Sequence, residues 1–166
     1  MAEQASTTSR VLRGALAGVI AGVMASFAMD RVQALAASMS DPEEKDEPAT
    51  SKAADAVAEA VTGGPLPEDE KPLGGQAAHY ALGMLLGAAY GIAAEFRPAV
   101  TSGFGTAFGA GTALLLDESA VPAAGLSDAP WKAPASTHVY AFASHAVFGV
   151  TAEAVRRAVD ATLKPK

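Results

Sequence analysis

The sequence predicts an all-α integral membrane domain, a four-helix bundle built from two helical hairpins, and three observations carry that prediction. The first is a set of ladders in which small or polar residues recur every fourth position. They are Gly14, Gly18, Gly22, Ser26, Asp30; then His79, Gly83, Gly87, Gly91, Glu95; then Gly105, Gly109, Ala113, Asp117; and Ala141, His145, Gly149, Glu153. Residues four apart share a helix face, so each ladder marks a helix that packs on its smallest stripe. The second is composition: half of the 166 residues are apolar, yet aromatics make up only 6% and tryptophan occurs once. So few large rings cannot fill a conventional core, whereas closely approaching backbones need none. The third is charge placement. Arg10, Arg13, Arg97, Arg156, Arg157, Lys164 and Lys166 all fall on one side of a four-span path, as the excess of basic residues in cytoplasmic loops requires.

The chain reads as a single membrane domain, 1–166, with helices over about 11–38, 73–95, 99–117 and 137–160 and an acidic outer linker over about 40–72. In the first helix, Arg10 and Arg13 precede an uncharged apolar run from Gly14 to Met29. A signal peptide is the rival reading, with Ala34, Leu35 and Ala36 as a small-residue cleavage site. Asp30 and Arg31 interrupt the approach to that site, and the pattern Gly18, Gly22, Asp30 returns as Gly105, Gly109, Asp117 in mid-chain, where no signal can lie. A structural role explains both copies. Within the linker, Ala54, Val57, Ala58 and Val61 share a face opposite Lys52, Asp55 and Glu59, and Gly63, Gly64 and Pro65 stop the run. This is a short amphipathic helix in the first outer loop, expected to cover the mouth of the bundle.

The second span holds no charge if His79 is neutral, and its length suits the roughly 20 residues that cross a bilayer core. Phe96, Arg97 and Pro98 turn the chain into the third span, which Asp117 and Glu118 end; Ser136 or Thr137 caps the fourth. Both termini are then cytoplasmic, and Tyr80, Trp131 and Tyr140 lie near the outer interface. The competing reading is a soluble alanine-rich bundle, which the mean hydropathy of +0.21 allows. Soluble helices carry charged outer faces, however, and spans two to four show none. A formal charge of -6 with no basic stripe excludes a nucleic-acid partner. The absence of cysteine removes disulfides and thiolate chemistry.

The two halves resemble each other. Tyr90, Gly91 through Glu95 aligns with Phe148, Gly149 through Glu153, beside the Gly, Gly, Asp match, so the hairpins read as an internal duplication. The ladder ending in Ala28, Met29, Asp30, the Tyr90–Gly91 and Phe148–Gly149 pairs and the His138 to His145 helix together resemble the YagU-like family of bacterial inner-membrane proteins. That family's domain is of unknown function. The resemblance implies an inner (plasma) membrane location and brings no catalytic residues.

In this topology Asp30, His79, Asp117 and His138 occupy one depth at the outer mouth, a ring of two histidines and two carboxylates. Imidazole with carboxylate suits a divalent metal such as zinc, iron or manganese. The alternative is that each residue is a polar end-marker at the interface. An acid in the last helical turn meets the negative end of the macrodipole, at roughly 0.3 to 1 kcal/mol, and each ladder ends in one. Arg157 answers Glu153 and Arg97 answers Glu95, while Asp30 and Asp117 need a histidine, a cation or a proton. His145, about 10 Å below His138 by helix rise, and Glu118 make a proton or ligand path; the plainer reading bonds a neutral His145 to Ser26 or to another helix. Haem held by His79 with His138 or His145 is a third option. No phosphate loop or nucleophile–base pair is legible, so an enzyme is disfavoured. The implied partners are the lipid bilayer and, through Gly14, Gly18, Gly22, Gly83, Gly87, Gly91, Gly105, Gly109 and Gly149, either the chain's own helices, a second copy or another membrane protein.

Overall fold

The computed structural model describes residues 6–39 and 47–163. Residues 1–5, the linker stretch 40–46 and the terminal Lys164 and Lys166 lie outside the described residues. Among the described residues the chain is helical, with no strand. Three helices are long: α1 (Thr7–Ser38), α3 (Lys71–Phe96) and α6 (Ala135–Leu163). α2 (Ala49–Thr62) lies in the linker, and α4 (Thr106–Leu115) runs through a π-helical turn, Leu116–Ala120, into the short α5 (Val121–Ala123).

α4 starts well after the expected position 99, for two local reasons. Pro98 opens a 3-10 turn ending at Thr101, and Gly103, Phe104 and Gly105 then all take left-handed φ angles of 62°, 54° and 86°. Three such residues in succession cannot continue a right-handed helix. α6 begins at Ala135, directly after Pro134, so neither Ser136 nor Thr137 is its cap. Of the acids expected in last turns, only Glu95 of α3 is there: α1 continues eight residues past Asp30, α6 ten past Glu153, and Asp117 sits inside the π turn.

α1 is the hub. It packs along α3 on one side and α6 on another, α6 carries α4, and α2 lies on α3. The α1–α3 seam is antiparallel and nearly free of side chains. A Cβ built on Gly18 would stand 2.1 Å from the Gly87 carbonyl oxygen, one on Gly22 2.1 Å from that of Gly83, and one on Gly14 2.7 Å from that of Gly91. The α4–α6 seam repeats the device, with Gly105 against the Gly149 carbonyl and Gly109 against that of His145, each at 2.1 Å. Even a methyl group has no room there, so glycine is required by approach. α3 and α4 meet through rings: Tyr90 stacks on Phe108 with centroids 4.2 Å apart, and Phe108 lies 6.0 Å from Phe148.

The burial pattern is inverted relative to a water-soluble bundle. α1 buries Gly14, Ala17, Gly18, Ala21, Gly22, Ala25, Ser26 and Met29. It exposes Leu12, Leu16, Ile20, Met24 and Phe27 on the opposite face. The largest side chain that is fully buried is Glu153. α1 and α3 are long and apolar enough to cross a membrane; among the described residues no other helix passes that test. The four-span bundle is therefore represented at this level by two spans. α2 corrects a further expectation: it turns the buried Ser51, and Ala54, toward Gly75 and Gly74 of α3, while Val57 and Val61 remain exposed. Asp55 anchors it by accepting from the Leu66 amide at 3.0 Å and pairing with Lys71 at 3.2 Å.

Candidate functional site

Polar side chains gather at both ends of the helices, with the aromatic stack between them. At one end, three histidines each meet a carboxylate. His79 Nε2 of α3 lies 3.2 Å from Asp30 Oδ1 of α1, and the other oxygen of Asp30 accepts from Gln76 Nε2 at 2.7 Å. His138 Nδ1 of α6 is 2.6 Å from Glu118 Oε1. His145 Nδ1 is 3.1 Å from the Ala141 carbonyl oxygen and 3.2 Å from Asp117 Oδ2. Two acceptors face that nitrogen, so it carries the proton.

These pairs differ from the expected ring. Asp30 and His79 do come together, but His138 takes Glu118, and Asp117 reaches inward to His145. Among the described residues no group of three or more His, Cys, Asp or Glu side chains is arranged to hold a metal ion. The π turn is the physical reason. An extra residue in one helical turn changes the angular offset between successive side chains, and it delivers the adjacent Asp117 and Glu118 to two different histidines of α6, seven residues apart. Of the two partners expected for His145, Ser26 or another helix, it takes the second, Asp117 of the π turn. Ser26 Oγ is buried beside Gly83 with no hydrogen-bond partner among the described residues.

At the opposite end the acids are held by arginines. Glu95 of α3 accepts from Arg13 of α1, with Nε at 3.0 Å and Nη2 on the other oxygen. Arg13 Nε also lies 3.0 Å from Asp160 of α6, so one guanidinium ties three helices. Glu153 accepts a two-pronged contact from Arg156 at 2.8 and 2.9 Å, one from Arg157 Nε, and one from the Tyr90 hydroxyl of α3 at 2.8 Å. The expected Glu95–Arg97 pairing is replaced by Arg13, while Glu153–Arg157 is present with two further partners. Sequence reasoning missed Arg13, Asp160 and Tyr90. The seam itself held a signal for an α1 arginine at Glu95: the rungs Gly22–Gly83, Gly18–Gly87 and Gly14–Gly91 step by four in opposite directions, so the next is Arg10–Glu95, and Arg10 Nε is indeed 3.7 Å from that carboxylate, with Arg13 one turn on making the closer bonds.

The arrangement can hold protons on three imidazole–carboxylate pairs and lock helices through charge-assisted bonds. A cavity of about 450 Å³ opens at the basic end, lined by Ala94, Glu95, Arg156, Arg157, Asp160 and Ala161. A smaller one of about 250 Å³ lies beside Glu118, Pro122, Pro130 and Trp131.

No curated protein and no solved structure matches the chain. One family model does, over residues 66–154, a stretch that takes in α3, α4 and most of α6, and its description is "Protein of unknown function (DUF1440)". That match covers more than half of the sequence, and the chain belongs to the DUF1440 family.

Proposed function

We propose that this protein is an integral membrane protein of the bacterial inner membrane in which α1, α3, the α4–α5 path and α6 all cross the bilayer, with both termini and the arginine end cytoplasmic. Its role is that of a non-catalytic structural or accessory subunit. The observation that carries the reading is the inverted burial: leucines, Ile20, Met24 and Phe27 outside, glycine and alanine inside. In water such a face is a contiguous apolar patch that soluble monomers avoid; in lipid it is the favourable solvent contact, and small residues are what seam helices together. The basic residues at one end support the orientation, and the likeness to the YagU-like family agrees with the location. The carboxylates at both ends already have partners, which favours a packed module over a reaction site.

Because the chain has no cysteine, single-cysteine labelling in intact cells has no background. We expect Glu59→Cys and Lys132→Cys to react with an impermeant maleimide from outside, and Arg97→Cys and Thr162→Cys only after permeabilisation. Lys132 and Thr162 reacting from one side would refute the crossing of α6, and release of the chain by alkaline carbonate would refute the membrane reading altogether.

A second reading, proton handling, is favoured by one observation. His145 is buried and paired with the half-exposed Asp117, and a buried ionisable residue in a membrane bundle marks a functional path. The ring stack of Tyr90, Phe108 and Phe148 separates it from Glu153, so a path would require those rings to move.

A further inference from the structure

The cavity at the basic end joins the end of α3 to the last turns of α6, and the charged cluster around it is unbalanced in a particular way. Arg10, Arg13, Arg156 and Arg157 face Glu95, Glu153 and Asp160, four cations against three anions. Arg13 and Arg156 are spent on carboxylates. Arg157 gives only Nε to Glu153, which leaves both terminal nitrogens without an acceptor among the described residues, and its side chain is 55% exposed at the cavity wall. The Arg10 side chain makes no hydrogen bond among the described residues, its Nε lying 3.7 Å from Glu95. Each of these two guanidiniums is held over a ring, Arg157 at 4.8 Å from the Phe104 centroid and Arg10 at 4.4 Å from that of Phe96. The stacking fixes Arg157 at the cavity wall and Arg10 beside Glu95, itself a lining residue, each with a planar fork of unused donors.

A fixed guanidinium with unspent donors matches the oxygens of a phosphate. Phe96 and Leu163, both partly exposed, lie at the same end of α3 and α6 and offer apolar surface on which acyl chains can start. Basic pockets between membrane helices on the cytoplasmic side are suited to anionic headgroups for these reasons. We propose that this cavity binds the phosphate of one anionic phospholipid, gripped by Arg157 and Arg10 at the cytoplasmic interface. The proposal rests on the membrane reading given above.

The test uses the full chain in detergent and native mass spectrometry with added phosphatidylglycerol, phosphatidylcholine or inorganic phosphate. We expect one retained phosphatidylglycerol, held in preference to phosphatidylcholine, and a loss of roughly tenfold in retention for Arg157→Gln or Arg10→Gln, the size expected for one charge-assisted bond. Lys132→Gln, at the other end, keeps the wild-type value. Arg157→Gln leaves Glu153 with Arg156 and Tyr90, so the variant folds; circular dichroism verifies this. Competition by inorganic phosphate at equal concentration would support the phosphate site and assign it to the free ion. Equal retention of phosphatidylcholine, or full retention by both arginine variants, would overturn the site. Flotation with phosphatidylcholine vesicles separates the two readings: a chain that floats without discriminating headgroups keeps the membrane reading and loses the site, and one that does not float loses both.

Discussion

The α1–α3 and α4–α6 pairs use one packing device and put it to different ends. In the first pair, three glycines on each helix face one another and the seam is made of carbonyls against Cα atoms. Contacts of that kind add little each but recur along the whole interface. In the second pair only two rungs form, and one of them uses the backbone of His145. Thr112, Ser144 and His145 are buried around it, and the partner helix breaks into a π turn that carries Asp117 and Glu118. A long uninterrupted ladder gives a rail, and a short interrupted one gives a polar pocket with acid–histidine pairs. Small-residue spacing sets how closely two helices approach; where it stops decides what can be built beside them.

The comparison breaks most severely at the rail. Gly22→Leu must push the Gly83 backbone away, since even its Cβ would lie 2.1 Å from that carbonyl oxygen. The expected cost is at least about 4 kcal/mol, beyond the usual range for single changes, read as loss of the folded fraction in a detergent unfolding titration. Gly109→Leu, which meets the His145 carbonyl at the same distance, should disrupt only α4. Native tryptophan emission from Trp131 and helix content would distinguish the two. Equal stability of Gly22→Leu and the wild type would remove the packing argument for both pairs.

A smaller effect is expected at the joint between the pairs. Glu153 is fully buried and binds Tyr90 of the first pair as well as Arg156 and Arg157 of its own helix. Glu153→Ala strands Arg156 beside a cavity, and breaking one side of such a pair costs about 3 kcal/mol or more. Tyr90→Phe loses only a bond to a charged acceptor, roughly 1.5 to 3 kcal/mol. The ordering of these two in one unfolding series is the check; Tyr90→Phe costing more than Glu153→Ala would mean that the ring stack with Phe108, not the carboxylate, joins the pairs.

The sequence made the helices and their seams legible because a period of four in small residues has one physical meaning, a close-packed helix face. It also placed opposite charges at the basic end, though not their partners. Arg13 and Glu95 meet across two helices, which depends on the register of the seam rather than on spacing along the chain. The apparent duplication shows the same gap. Aligning Gly149 with Gly91 makes their partners Gly105 and Gly14 equivalent, whereas the Gly, Gly, Asp match aligns Gly105 with Gly18, so the two matches differ by one helical turn. That slip sets Asp117 level with Ser26 rather than Asp30, and together with the π turn it resolves the ring of Asp30, His79, Asp117 and His138 read from the sequence into separate pairs. The π turn was invisible for a different reason: it is made by a shift in backbone register, the Val121 amide donating to the Leu116 carbonyl five residues back, which no residue type announces.

The smallest expected effect discriminates between the chain's own packing and a partner's. Gly111 lies on α4 one turn from nothing: a Cβ there would meet no atom within 4 Å, unlike Gly109 two residues earlier. If α4 faces lipid at that point, Gly111→Ala should stabilise the helix by about 0.5–1 kcal/mol, the usual gain from replacing an interior helical glycine. If instead Gly111 is where a second copy or another membrane protein approaches, the methyl group would occupy the contact, and the oligomer measured by light scattering in detergent would dissociate while the monomer's unfolding midpoint still rose. A midpoint that fell would contradict both alternatives, because it would mean that α4 packs on its open face within the monomer. The exposed neighbours Leu114 and Leu115 provide the internal control: replacing either by alanine leaves the seam untouched and should move the midpoint less than the glycine substitution does.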